Sequence, residues 1–138
     1  MRRVLILDER ILADGNHART WASAVGDRVH LRDSDDGTDG ELSLVALDRV
    51  MCRYGRPLEA GIASRSDRTD SNDQLELAGG YCLRRLRFHA AVDATGRDYL
   101  VWERPDGEPL AAVGTMVTAA LRYLVLRIAA ERPQETEG

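Results

Sequence analysis

Two stretches near the N-terminus carry the hydrophobic pattern of β-strands. A continuous apolar run rich in β-formers opens Val4–Leu12 and predicts a strand that is buried on both faces. Arg28–Arg32 alternates between polar and apolar residues and predicts a second strand. Between them, Asn16 and Gly26 fit the N-cap and the C-terminal end of a helix, so a short helix is predicted over His17–Val25.

Two longer segments have apolar residues at helical spacing. The first, 41–54, has Asp39 as a candidate N-cap and is followed by Gly55, which suits a helix end. The second, 109–132, begins at Pro109, where a missing N–H costs nothing, and ends before Pro133. Apolar residues cover more of its circumference than an ordinary amphipathic stripe, so this helix needs cover on more than one side.

Residues 81–104 are predicted to form a β-hairpin. The segment 94–97 suits a type I turn followed by Gly96 in the left-handed region, which makes a three-residue loop with a bulge. That turn sets Phe88 opposite Trp102 and places the apolar residues of both strands on one face. A shift of one residue would set Phe88 opposite Glu103 and mix the two faces, so the first register is favoured.

These elements indicate an α+β fold. We expect an antiparallel sheet centred on the 81–104 hairpin, with the first strand added to it and the two main helices, 41–54 and 109–132, packed on one face. A single globular domain is predicted over 1–132, with a long polar and disordered loop at 56–73 and a frayed tail at 133–138. No internal sequence repeat is evident.

Composition limits the classes of function. The chain has 138 residues, 43% of them hydrophobic and 30% charged, which are the values of a globular protein. The net charge of −4 argues against nucleic-acid binding by the domain as a whole, although every basic residue is an arginine. Neither a signal peptide nor a membrane span is predicted, and Cys52 and Cys82 read as small core residues of a reduced, cytoplasmic protein.

The segment 33–41 is the most motif-like part of the chain, with acidic residues and glycines in alternation. It fails as an EF-hand, because a loop that starts at Asp35 has Ala46 at the twelfth position, where a bidentate Glu is needed. We therefore interpret it as a solvated loop and predict no metal or cofactor. An irregular cation site formed by Asp33, Asp35 and Asp39 is the alternative.

The outward face of the predicted hairpin carries the most varied chemistry. Its members are Arg85, Arg87, His89, Tyr99 and Glu103. His89 is a candidate general base, Glu103 its orienting partner and Tyr99 a proton donor, while Arg85 and Arg87 are candidate anion-binding residues. The sequence contains no catalytic motif, so enzyme activity stays open, and a plain solvent-exposed face is the competing interpretation.

The wide apolar arc of the last helix leads to the favoured hypothesis, a small interaction or accessory domain. In this hypothesis the helix contacts a second copy of the chain or another protein through Met116, Ala120, Tyr123, Leu124 and Arg127. The first alternative is a small enzyme or ligand-binding domain with a pocket between the sheet and the last helix, lined by the polar hairpin face. The second is nucleic-acid binding through the arginines of 84–87.

Overall fold

The structure is a computed structural model that describes residues 4–64, 88–104 and 107–131. Within these residues the elements follow one another as β1 (Leu5–Ile11), β2 (His17–Val25), β3 (Arg28–Asp33), β4 (Asp39–Ser43), α1 (Leu44–Tyr54), β5 (Arg56–Pro57), β6 (Ala63–Ser64), β7 (Phe88–Val92), β8 (Asp98–Trp102), β9 (Leu110–Val113) and α2 (Gly114–Glu131). The predicted α+β class and its antiparallel pairing are confirmed.

The first four strands form an antiparallel sheet in the order β1-β2-β3-β4. The predicted strands at Val4–Leu12 and Arg28–Arg32 are confirmed as β1 and β3. The predicted helix at His17–Val25 is wrong, because this segment is β2, the strand between them. In its first half the buried Ala18, Thr20 and Ala22 alternate with the half-buried Arg19 and Trp21, and this period of two belongs to a strand.

The remaining strands form a second antiparallel sheet in the order β5-β9-β8-β7-β6. The predicted hairpin register is confirmed over the described residues, with Phe88 opposite Trp102 and Ala90 opposite Leu100. Gly96 has a φ of 90°, as the predicted turn requires. The expectation that the first strand joins this sheet is wrong, because β1 pairs with β2 in the other sheet.

Both main helices begin later than predicted, because each follows directly from a strand. Residues 39–43 are β4, so the N-cap of α1 is Ser43, whose hydroxyl accepts a hydrogen bond from the Ala46 N–H, and Asp39 has no capping role. Residues 110–113 are β9, so α2 begins at Gly114 and not at Pro109. These boundaries depend on pairing with neighbouring strands, and the helical periodicity of the sequence does not reveal that pairing.

One buried cluster draws residues from both sheets and both helices. It includes Leu31 and Leu42 from the first sheet, Phe88 from the second, Leu47 from α1 and Leu121 from α2. α2 contacts both sheets and α1. None of the helices in the described part of the chain is long and apolar enough to cross a membrane.

The predicted polar loop at 56–73 lies partly inside the described residues. Its first nine residues contain the short strands β5 and β6, which form the two edges of the second sheet. Residues 65–73 of this loop and the predicted tail at 133–138 lie outside the described residues.

Candidate functional site

The last helix exposes a row of apolar residues on the side that faces away from the core. We call this row the outer face of α2, and it consists of Met116, Ala119, Tyr123, Leu126 and Ala130. Met116 is 53% exposed and Tyr123 is 64% exposed. The spacing of three and four residues keeps the row on one side of the helix, directly opposite the buried residues Val117, Leu121 and Val125.

The predicted interface residues are divided between the two sides of α2. Met116, Tyr123 and Arg127 are exposed, and the first two belong to the outer face. Ala120 and Leu124 are only partly exposed, and Leu124 packs against the core. The sequence predicts the wide apolar arc, but only the packing shows which residues of the arc remain outside.

The charged groups beside the outer face form a neutral pair. The Arg127 guanidinium donates a hydrogen bond of 2.8 Å to Glu131 and lies 5.9 Å from the centre of the Tyr123 ring. The Glu131 carboxylate raises the pKa of Arg127, which therefore stays charged. The outer face thus has no net charge of its own.

His89 and Glu103, which the predicted register places diagonally across the hairpin, are in contact. His89 Nε2 lies 3.0 Å from a Glu103 carboxylate oxygen, and the imidazole is almost fully buried. On its other side, His89 Nδ1 lies 3.3 Å from the Ser64 hydroxyl and 3.3 Å from the Ala90 carbonyl. No local pattern indicates Ser64, because β6 brings it beside β7 from a position 25 residues earlier in the chain.

Tyr99 is not part of the His89 contacts. Its hydroxyl donates to the Asp93 carboxylate at 3.0 Å. The pKa of Asp93 is lowered to about 2. The hydrogen bond from the Thr95 hydroxyl has the largest effect and outweighs desolvation, and the Arg97 N–H and the Tyr99 hydroxyl lower the pKa further. Asp93 therefore holds the hairpin turn together. Arg85, Arg87 and the other arginines of 84–87 lie outside the described residues.

The outward face of the second sheet carries a cleft of about 440 Å³. Ala111 and Val113 of β9 line it from the sheet, while residues 56–62, which precede β6, border it on one side. Tyr99, Arg97 and Asp93 line the side formed by the hairpin. The cleft is lined by no residue of α2, so it does not lie between the sheet and the last helix, where a pocket was expected.

Hydrogen bonds from arginine side chains connect the acidic segment 33–41 to the rest of the fold. Both carboxylate oxygens of Asp33 accept from the Arg10 guanidinium, at 3.0 and 2.9 Å, and the Thr20 hydroxyl and two backbone N–H groups donate to the same carboxylate. Burial alone would raise the pKa of Asp33, but these hydrogen bonds outweigh it and hold the pKa well below its usual range. Arg122 of α2 donates to Asp36 at 2.9 Å and so ties the segment to the helix.

The candidate cation ligands are not gathered at one point. Asp33 is engaged by Arg10, and Asp39 contacts His30 at 2.6 Å. Among the described residues no group of three or more His, Cys, Asp or Glu side chains is placed to hold a metal ion. Cys52, expected to be a core residue, is exposed on α1, and Cys82 lies outside the described residues.

No protein-family model, curated protein or solved structure matches this chain.

Proposed function

We propose that this protein is an interaction domain that forms a homodimer through the outer face of α2. The observation that carries the proposal is the exposed apolar row, which repeats at three and four residues on the side of the helix that the core does not cover. A row with this spacing is the pattern by which two helices pack along their length. A helix that buries one side and exposes apolar residues on the opposite side is suited to pack against a second protein on that side.

The sizes of the residues favour a second copy in antiparallel orientation. In one antiparallel register, Met116 faces Leu126 of the partner copy and the small Ala119 faces Tyr123, and both contacts occur twice by symmetry. In both Ala119–Tyr123 contacts a large residue then packs over a small one, which lets the two helices interdigitate there. A parallel pair would set each residue against itself, so that a layer of two tyrosines would follow a layer of two alanines.

The charged groups are compatible with the same orientation, which keeps the two Arg127–Glu131 pairs apart. In the antiparallel register, Arg127 lies opposite Thr115, twelve residues along the helix from the level of the other Arg127. At a rise of about 1.5 Å per residue this separation is about 18 Å along the helix axis. It exceeds the screening length of about 8 Å at physiological ionic strength. A parallel pair would bring the two Arg127 side chains to the same level.

The expected affinity is modest. α2 has 18 residues and is therefore about 27 Å long. One helix of this length covers less than the roughly 800 Å² per partner that a standard interface buries. We therefore expect a dimer that dissociates on dilution, with a dissociation constant on the order of micromolar.

The first experiment is light scattering coupled to size exclusion over a tenfold range of concentration. The wild type is expected to move from twice the monomer mass towards the monomer mass on dilution. Tyr123→Glu should be a monomer throughout, because it places a charge in the contact. Val45→Glu is the matched control, since Val45 is 63% exposed on the other helix and should leave the dimer intact. A monomeric wild type at every concentration, or a dimeric Tyr123→Glu, would contradict the proposal.

The orientation is tested by disulfide formation in a background that lacks Cys52 and Cys82. Chains that carry Met116→Cys are mixed with chains that carry Leu126→Cys and are then oxidised. An antiparallel pair gives a mixed disulfide, while neither variant links to itself. Self-linked products from each variant alone would show a parallel pair, and the proposed register would be wrong.

A further inference from the structure

We infer that the cleft on the outward face of the second sheet binds a small organic anion that has an apolar or aromatic body. This inference is independent of the dimer, because the cleft is lined by no residue of α2. Its volume of about 440 Å³ lies within the range of roughly 300–1,000 Å³ that is typical of ligand pockets.

The part of the cleft nearest the sheet is apolar. Ala111, which is buried, belongs to a small apolar cluster against which Ile62 and the Tyr99 ring pack. Small side chains on β9 leave room above the sheet, while Tyr54 adds a second aromatic wall. A planar or apolar group of a ligand can pack against this surface and displace water from it.

Two arginines at the cleft supply the anion-binding groups. Arg56 and Arg97 line the cleft and are exposed, and neither forms a salt bridge with a described residue. Arg97 lies close enough to the Tyr99 phenol to act on its ionisation, which places this guanidinium beside the aromatic wall. The planar guanidinium binds a carboxylate or a phosphate through two parallel hydrogen bonds.

Two carboxylates, Glu59 and Asp93, also line the cleft, so its formal charges balance, but neither forms a salt bridge with Arg56 or Arg97. Asp93 Oδ1 accepts from the Thr95 hydroxyl at 2.6 Å, the Thr95 N–H at 2.9 Å and the Arg97 N–H at 3.0 Å, and Oδ2 accepts from Tyr99. This carboxylate is therefore committed to the turn. Glu59 lines the cleft as an exposed residue and offers an acceptor to a ligand that also carries a donor group.

A second groove, of about 480 Å³ between β3, β4 and α2, provides the contrast. Its charged groups already form pairs, with His30 Nε2 2.6 Å from Asp39 and Arg28 Nε 3.2 Å from Glu41. A ligand anion would have to compete with these carboxylates. The cleft on the second sheet is the site where guanidinium groups are not engaged in this way.

The test is a titration of the isotope-labelled full chain, followed by amide NMR, with benzoate and phenyl phosphate as probes. We expect saturable shifts of amides around 94–99, with dissociation constants on the order of 0.1–1 mM for such small probes. Benzamide, which keeps the ring and lacks the charge, should bind at least tenfold more weakly. Arg97→Gln should weaken binding of the anionic probes by a similar factor. Arg49→Gln, at an exposed arginine of α1 outside the cleft, is the matched control and should leave it unchanged.

The amide spectrum also reports whether each variant is folded, so a loss of binding is separable from a loss of structure. Equal binding of benzamide and benzoate would overturn the anion-binding role. Shifts that do not saturate, shifts centred on the groove around His30, or equal losses for Arg97→Gln and Arg49→Gln would overturn the site itself.

Discussion

Removal of the Arg10 side chain is expected to destabilise the fold by about 3 kcal/mol. Arg10 donates two hydrogen bonds, at 3.0 and 2.9 Å, to Asp33, whose side chain is fully buried. Hydrogen bonds to charged groups contribute about 1.5–3 kcal/mol each, and removing one partner of a buried ion pair costs about 3–5 kcal/mol. The Thr20 hydroxyl and two amides still donate to Asp33 in Arg10→Ala, so we place the loss at the lower end of this range.

The assay is urea unfolding followed by far-UV circular dichroism at one fixed protein concentration, because dimer formation would otherwise change the apparent stability. The matched control is Arg19→Ala. Arg19 and Glu9 form a pair of equally short distance, 2.8 Å, on the same sheet, but both side chains are about 40% exposed. An exposed pair contributes about 0–1 kcal/mol, so burial and not distance should separate the two variants. Equal losses for Arg10→Ala and Arg19→Ala would refute this reasoning.

The Arg10–Asp33 pair should also make the free energy of unfolding depend on pH in the acid range. The pKa of Asp33 is lower in the folded state than the usual value of 3.8, so its contribution to stability is complete at pH values above that and is lost as the pH falls towards the folded pKa. In Arg10→Ala the folded pKa rises towards the unfolded value. The pKa of Asp33 in the unfolded state is about 4. The free energy of unfolding should therefore fall less steeply between about pH 5 and pH 2 in the variant than in the wild type.

Two further substitutions test the core and the hairpin turn. Leu121→Ala removes a fully buried side chain from the side of α2 that faces the core, and urea unfolding should show a loss of about 3–4 kcal/mol, whereas a loss below 1 kcal/mol would place Leu121 outside the core. Gly96→Ala meets no neighbouring atom within 4 Å but must adopt a φ of 90°, so thermal unfolding should show a loss of about 1–2 kcal/mol that comes from backbone strain. An unchanged midpoint for Gly96→Ala would mean that the turn adopts another conformation.

Several local features could be predicted from the sequence because neighbouring residues decide them. The turn before Arg97 and the alternation on either side of it gave the register of β7 and β8, since turn chemistry and a buried face act within a few residues. Leu47 and Met51 of α1 are buried, which agrees with the helical spacing of apolar residues in 41–54. The contact between His89 and Glu103 follows from the same register.

Other features required contacts between residues that are distant in the chain. His17–Val25 has plausible helix caps, but it lies between β1 and β3, and pairing on both sides outweighs the helical preference of a short segment. Ser64 reaches His89, and Arg10 reaches Asp33, only because strands from separate parts of the chain lie together.

The sequence by itself determined the α+β class, the hairpin register and the wide apolar arc of the last helix, because each of these depends on periodicity or on turn residues along a short stretch. The tertiary structure decided that the described strands form two sheets, that β4 and β9 precede the helices, and that part of the apolar arc of α2 stays outside. The arrangement of strands places Arg56 and Arg97 at one cleft and separates them from the charged pairs elsewhere. Pairing and packing between distant segments set these features, and their free energy does not appear in any local pattern.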